Sequence, residues 1–148
     1  MAEDISRLLK SGSETIVQKW TEKVTSDKRI ISDAKLSYVQ LIDHVPEILE
    51  ELRVALRNEP PANFMLKEGR EHGRQRWQQG YQLKEIVREL TLLRATLLEF
   101  IDTYRGALSI HTPEQISKSY RQINGFMDEE LYKTVEAYLE APQHANAR

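Results

Sequence analysis

The sequence predicts an all-α helical bundle of about five to six helices, and three observations predict it. Apolar residues recur at spacings of three and four through most of the 148 residues, the pattern of amphipathic helices. No stretch alternates cleanly between apolar and polar, and Asn124-Gly125 falls inside a helical pattern rather than between two strands. Glycines, prolines and capping residues stand where the helical patterns begin and end.

The elements follow in order. A short first helix carries Ile5, Leu8 and Leu9 and stops near Gly12. Ser11 and Glu14 have the spacing of a capping box for the second helix, with Ser13 as a competing cap; its apolar face is Ile16, Val17, Trp20 and Val24. A third helix is expected to start at Ser32 or Asp33 and to bury Tyr38, Leu41, Ile42, Val45, Leu49, Leu52 and Leu56. Pro46 lies inside that pattern and either kinks the helix or opens a new one. The stripe keeps its phase across it, which favours a kink. Asn58-Glu59-Pro60-Pro61 ends the segment as a rigid connection. A fourth helix is expected over Phe64 to Gln79, stopping near Gly80. A fifth, over Gln82 to Arg105, carries the clearest stripe: Leu83, Ile86, Val87, Leu90, Leu93, Leu97, Leu98, Ile101 and Tyr104, with Gly106 as its stop. Thr112, Pro113 and Gln115 are three starting signals in a row. The last helix they open carries Ile116, Tyr120, Ile123, Met127, Leu131 and Tyr138. Residues 1–141 therefore read as one helical domain, and 142–148 as a polar tail or the start of a linker.

Composition narrows the function classes. A chain of this length is one domain with room for one core. The net charge is −2, against the basic face a nucleic-acid binder needs. The best basic run, Lys67, Arg70, Arg74 and Arg76, is interrupted by Glu68 and Glu71 and reads as a solvated helix face. No apolar run approaches the roughly 20 residues of a membrane span. The start Met1-Ala2-Glu3-Asp4 lacks the basic and apolar regions of a signal peptide. Cysteine is absent, which fits the cytoplasm. No nucleophile elbow, phosphate loop or paired-carboxylate arrangement occurs, so no catalytic residues are assigned. No metal site or cofactor is assigned either.

Two positions stand out. On a wheel of about 100° per residue, the fourth helix brings Met65, Gly69, His72, Gly73 and Arg76 to one face. Glycine costs about 1 kcal/mol inside a helix, so Gly69 and Gly73 need a compensating contact: a closely packed helix, or a ligand against bare backbone. Packing is the simpler account. His72 on the same face reads first as a hydrogen-bonded structural group. A haem ligand, a phosphoacceptor and a metal ligand are the functional alternatives, the last lacking companion ligands at metal spacing. Arg94 falls within the apolar stripe of the fifth helix, between Leu90 and Leu97-Leu98. A guanidinium there needs a carboxylate or carbonyls. Glu89, Glu99 and Asp102 point elsewhere, so the partner comes from another helix, another subunit or a ligand. His44, His111 and His144 show no partnership, and Trp20 and Trp77 read as packing residues.

The run His72-Gly73-Arg74-Gln75-Arg76-Trp77-Gln78-Gln79-Gly80-Tyr81, continued by Leu83, Val87, Glu89, Leu90, Leu93 and Arg94, resembles the N-terminal domain family of RsbT co-antagonists (RsbRD type). Leu41-Ile42-Asp43-His44-Val45-Pro46-Glu47-Ile48-Leu49 and Trp20 fit as well. The resemblance covers most of the chain. It implies a globin-like helical bundle without a required haem, placed at the N-terminus of bacterial sensor histidine kinases or stressosome-type regulators. It implies homodimerisation and signal input to a downstream signalling module rather than catalysis. It marks His72, Gly73, Arg76, Gly80 and Arg94 as signature positions. No kinase phosphoacceptor box, ATP-binding motif or anti-sigma-antagonist strand pattern accompanies them, so a fragment of a longer protein and a stand-alone member both remain open. The expected mechanism is a shift in helix packing or dimer geometry, relayed along the last helix. A phosphotransfer domain using His72 and a haem-binding sensor are the rival readings.

Overall fold

The apolar stripes read from the sequence form helices, one of them divided in two, and the helices close around one core. The computed structural model describes residues 2–57, 67–107 and 112–141. These form α1 (Ala2–Ser11), α2 (Ser13–Ser26), a 3-10 turn (Ser32–Lys35), α3 (Tyr38–Ile42), α4 (Val45–Arg57), α5 (Lys67–Gln78), α6 (Leu83–Tyr104), a second 3-10 turn (Arg105–Ala107) and α7 (Pro113–Glu140). The described residues contain no strand, and the fold is an all-α bundle. The connection Asn58–Pro61, Phe64 and Met65, His111, His144 and the tail 142–148 lie outside the described residues.

The core joins Ile16, Trp20 and Val24 of α2, Ile48 and Leu52 of α4, Ile86, Leu93, Leu97 and Ile101 of α6, and Ile123 and Met127 of α7. Each such side chain contributes about 1.5–3 kcal/mol of burial. α1 lies on α4 and α2 on α6, while the most extensive helix pair is α5 with α7. No helix among the described residues is long and apolar enough to cross a membrane.

Three local expectations are corrected. The Ser11/Glu14 box does not form, and Gly12 takes the cap position without a side-chain hydrogen bond. The Gly12 N–H donates to Leu8 O at 3.0 Å and the Ile16 N–H to Gly12 O at 2.9 Å, so the chain passes from α1 to α2 almost without a break. The Ser11 and Ser13 hydroxyls donate instead to carbonyls at the end of α1. Gly12 is required by packing: a Cβ there would lie 2.1 Å from the Phe100 ring.

The third expected helix is divided. Ser32 and Asp33 open only a 3-10 turn, and Ser37 caps α3 through a capping box with Gln40. The chain then breaks at Asp43-His44, where Asp43 leaves helical dihedrals. Pro46 is the second residue of α4, where the first-turn N–H groups have no intrahelical acceptor and a missing one costs nothing. The proline therefore opens a helix rather than kinking one. Tyr38, on its own short helix, is 57% exposed rather than buried.

The third correction concerns the last helix. Its expected cap is present, with Thr112 and Gln115 bonding each other's backbone N–H. Its buried face, however, runs Ser119, Ile123, Phe126, Met127, Glu130, Thr134 and Ala137. Tyr120, Leu131 and Tyr138 pack only at the margin. α7 lies against α4, α5 and α6, and the side facing α5 is lined by small and polar residues that a hydrophobic stripe does not reveal.

Gly80 stops α5 as expected. Its φ of +83° is the left-handed conformation glycine adopts without strain. The Tyr81 N–H reaches back to Arg76 O at 3.0 Å and the Gly80 N–H to Trp77 O at 3.1 Å, the paired bonds of a Schellman ending. This ending fixes where Tyr81 enters the interior beside Arg76.

Candidate functional site

α5 is the least apolar helix in the molecule, Lys-Glu-Gly-Arg-Glu-His-Gly-Arg-Gln-Arg-Trp-Gln, yet it is wedged between α6, α7 and the α3–α4 break. It manages this with backbone and polar groups. A Cβ at Gly73 would lie 2.2 Å from Thr134 O of α7, and one at Gly69 would lie 2.6 Å from Glu130 Oε2 and 3.1 Å from Glu130 O. Thr134 Oγ1 donates to Gly69 O at 2.9 Å. The groove left by the two glycines is filled by a helix.

Behind that contact lies a buried polar cluster. Arg76 is 1% exposed and Glu89 of α6 is 0% exposed. Arg76 Nε donates to Glu89 Oε1 at 2.9 Å, Nη2 to Leu41 O at 2.6 Å, and Nη1 to Gln79 Oε1 at 2.7 Å and Gln40 O at 3.2 Å. The guanidinium also stands over the Tyr81 ring, 4.7 Å from its centroid. One side chain thus ties α5 to α6 and to the last turn of α3. A buried charge is tolerated when it is paired and its remaining donors find acceptors; here the charge is paired and four of the five N–H groups donate. Trp20 Nε1 of α2 donates to Glu89 O at 2.9 Å, and Tyr138 Oη of α7 to Tyr81 O at 2.8 Å. Five helices therefore meet at this cluster.

His72 joins it from α5. Its Nε2 lies 3.5 Å from Glu89 Oε1, too long for a good hydrogen bond, and its ring meets that of His44 edge-on, centroids 6.4 Å apart. His72 Nε2, Glu89 Oε2, Gln79 Nε2 and Tyr81 Oη make no hydrogen bond to the described residues. Burial lowers the His72 pKa; Arg76 and His44 act in the same direction, and the approach of Glu89 opposes them without reversing the result. Burial alone would raise the Glu89 carboxyl, but His72 and the Arg76 charge outweigh it and hold the group below the usual carboxylate range. Burial and the Glu89 charge push the Tyr81 phenol up. The resulting charge state is one anion on Glu89, one cation on Arg76, and neutral His72 and Tyr81.

A second buried carboxylate braces the next turn. Glu85 accepts from the N–H groups of Ile31 (2.8 Å), Ser32 (2.9 Å) and Gln82 (2.9 Å) and from Ser32 Oγ at 2.7 Å. Burial works against its ionisation, and these bonds overcome that and lower its pKa.

The residues singled out in the sequence therefore divide. His72 and Arg76 come together, Gly69 and Gly73 seat the helix that carries them, and Gly80 ends it. Arg94 is separate and only half-buried: it donates to Asp128 at 2.6 Å and Asn124 at 3.3 Å, both on α7. The sequence placed it in the middle of the stripe, whereas it sits on the margin of α6 facing α7.

Sequence reasoning missed Glu89, His44 and Tyr81. Glu89 carried a usable signal: it follows Ile86 by three and precedes Leu93 by four, a carboxylate on the buried face itself. His44 carried none, because its approach to His72 depends on how the α3–α4 break folds. The described residues hold no group of three or more His, Asp or Glu able to bind a metal. In chemical terms the cluster fixes geometry and charge, and no nucleophile in it is open to a substrate.

Comparison with known proteins fits this reading. Searches of curated proteins and of solved structures gave no match. One family model, the RsbT co-antagonist protein rsbRD N-terminal domain, matches residues 14–148. That span runs from the first turn of α2 through α7 and includes every residue of the polar cluster, and on that match the chain belongs to the RsbT co-antagonist rsbRD N-terminal domain family, a family of regulatory domains.

Proposed function

We propose that this chain is the non-catalytic sensory input and dimerisation domain of a bacterial signalling protein, a sensor histidine kinase or an RsbR-like stress regulator. It acts in the cytoplasm, and a change in helix packing passes out along α7 to a downstream module. The observation that carries the reading is the outer face of α7. Tyr132, Val135 and Leu139 follow one another at spacings of three and four near the end of the longest helix. Tyr132 and Leu139 are 61% and 59% exposed. An apolar seam at this spacing is what a two-helix contact between copies uses. The inner face of the same helix carries Thr134 and Glu130, which seat α5. Packing changes at the polar cluster and at the seam therefore share one rigid element.

Two rival readings of His72, as phosphoacceptor and as haem ligand, both require its imidazole to be reached. It is 1% exposed, and Nε2 faces a carboxylate, so neither is favoured.

Light scattering across a concentration series tests the dimer. The expected result is a reversible dimer whose Kd rises at least about tenfold, near 1.4 kcal/mol, in Tyr132→Glu and Leu139→Glu, with helicity unchanged. A chain that stays monomeric at high micromolar concentration, or a dimer indifferent to both substitutions, removes the reading.

A further inference from the structure

The polar groups around His72 are graded in exposure. The Asp43 side chain is 38% exposed, His44 20%, His72 2% and Glu89 0%. Consecutive members lie close together: His44 Nε2 is 3.4 Å from Asp43 Oδ2, the two imidazoles meet edge-on, and His72 Nε2 is 3.5 Å from Glu89 Oε1. A line of titratable groups thus runs from solvent, through the α3–α4 break, to the Arg76–Glu89 pair that holds that break against α5.

We propose that His72 is a proton-operated latch: uptake of one proton by its imidazole releases α5 from the α3–α4 break and loosens its seat on α7. The charge count is the reason. With His72 neutral, Glu89 balances Arg76. A proton added to His72 leaves the imidazolium and the guanidinium sharing one carboxylate out of water. Other groups face the cluster. Glu85 of α6 is committed to four hydrogen bonds. Asp33 of the first 3-10 turn has its pKa raised by burial. Tyr81 holds its proton, and Glu130 of α7 stands against Gly69, three residues before His72. Among the described residues, the carboxylate that stands 3.5 Å from the imidazole is the one Arg76 already uses. Because His72 is enclosed, its protonated form is favoured only in a state where α5 has opened, so proton uptake and opening are linked.

The sign follows from His72 lying below its ordinary value of 6.5. The unfolded or opened chain binds the proton more readily, so the closed state is fully stable above about pH 6.5 and loses stability as pH falls towards the folded-state pKa. The proposal rests on the reading that α5–α7 packing is the output. Its test is read on His72 itself, so loss of the dimer would leave it standing.

The test is a titration of the 148-residue chain by histidine ring NMR, with amide exchange followed in parallel and corrected for intrinsic rates. His72 is expected to titrate below pH 6.5. Across its step, amides of α5 and of residues 41–45 should lose protection and exchange faster, while those of α1 hold steady. His44→Gln should keep the step and His72→Gln should abolish it. Should His72→Gln fail to fold, the wild-type titration and His44→Gln still decide. Titration of His72 at or above 6.5, α5 protection constant through its step, loss of the step in His44→Gln, or its survival in His72→Gln would each overturn the latch.

Discussion

Arg76 and Arg94 sit on neighbouring helices, both were expected to face inward, and they ended in different surroundings. Arg76 is enclosed, gives its hydrogen bonds to Glu89, Gln79 and two carbonyls, and ties three segments together. Arg94 lies at the α6–α7 margin, with a guanidinium 27% exposed and an Asp128 partner 66% exposed. The first is an architectural charge whose loss strands a buried anion. The second is a surface pair whose attraction is largely repaid by hydration. A helical wheel shows which way a residue leaves its helix. It does not show how much of the molecule closes over it.

The comparison breaks or sharpens under substitution. The largest effect belongs to the enclosed pair: Arg76→Ala or Glu89→Ala should each cost about 3–5 kcal/mol in urea unfolding, because the remaining charge is buried alone. The double variant Arg76→Met/Glu89→Leu should lose less than the sum of the two. Single losses below about 1 kcal/mol, the range of exposed pairs, would place Arg76 in the same class as Arg94. Next is Gly73→Ala, expected to cost about 1–3 kcal/mol, since the added methyl meets the Thr134 backbone, which cannot move without shifting α7. Gly69→Ala should cost less, because the nearest atom it meets is the end of the Glu130 side chain and the alanine gains helix propensity. An equal cost at both positions would contradict the close contact at Gly73. Gly80→Ala should cost about 1–2 kcal/mol through its left-handed backbone, read as a lower thermal midpoint with the fold intact. The smallest effect is Arg94→Ala, about 0–1 kcal/mol and weaker still at high salt. A loss above about 2 kcal/mol there would show that the α6–α7 margin is closed in solution.

Much of this site could be read along the chain. The pairing of Gly69 with Gly73 announced a close helix, and Gly80 announced a stop, because glycine's cost in a helix and its freedom at positive φ are local properties. His72 and Arg76 were placed inward by periodicity alone. Glu89 was legible in principle, since it interrupts the buried face of α6, although Arg94 is the more conspicuous charge along that helix. The Pro46 ambiguity was resolved by Ser37: its bond with Gln40 starts a separate α3, the helix ends at Ile42, and the proline is left in a first turn where it suits the backbone.

The sequence by itself determined the helices, most of their ends and the polar face of α5, because propensity, capping and amphipathic spacing act over a few residues. Only the tertiary structure decided that Arg76 meets a carboxylate 13 residues away and carbonyls 35 and 36 residues back, and that His44 lies beside His72. The reason is physical: a buried charge specifies that it must be compensated, not by which group, and the partner is chosen by how whole helices pack.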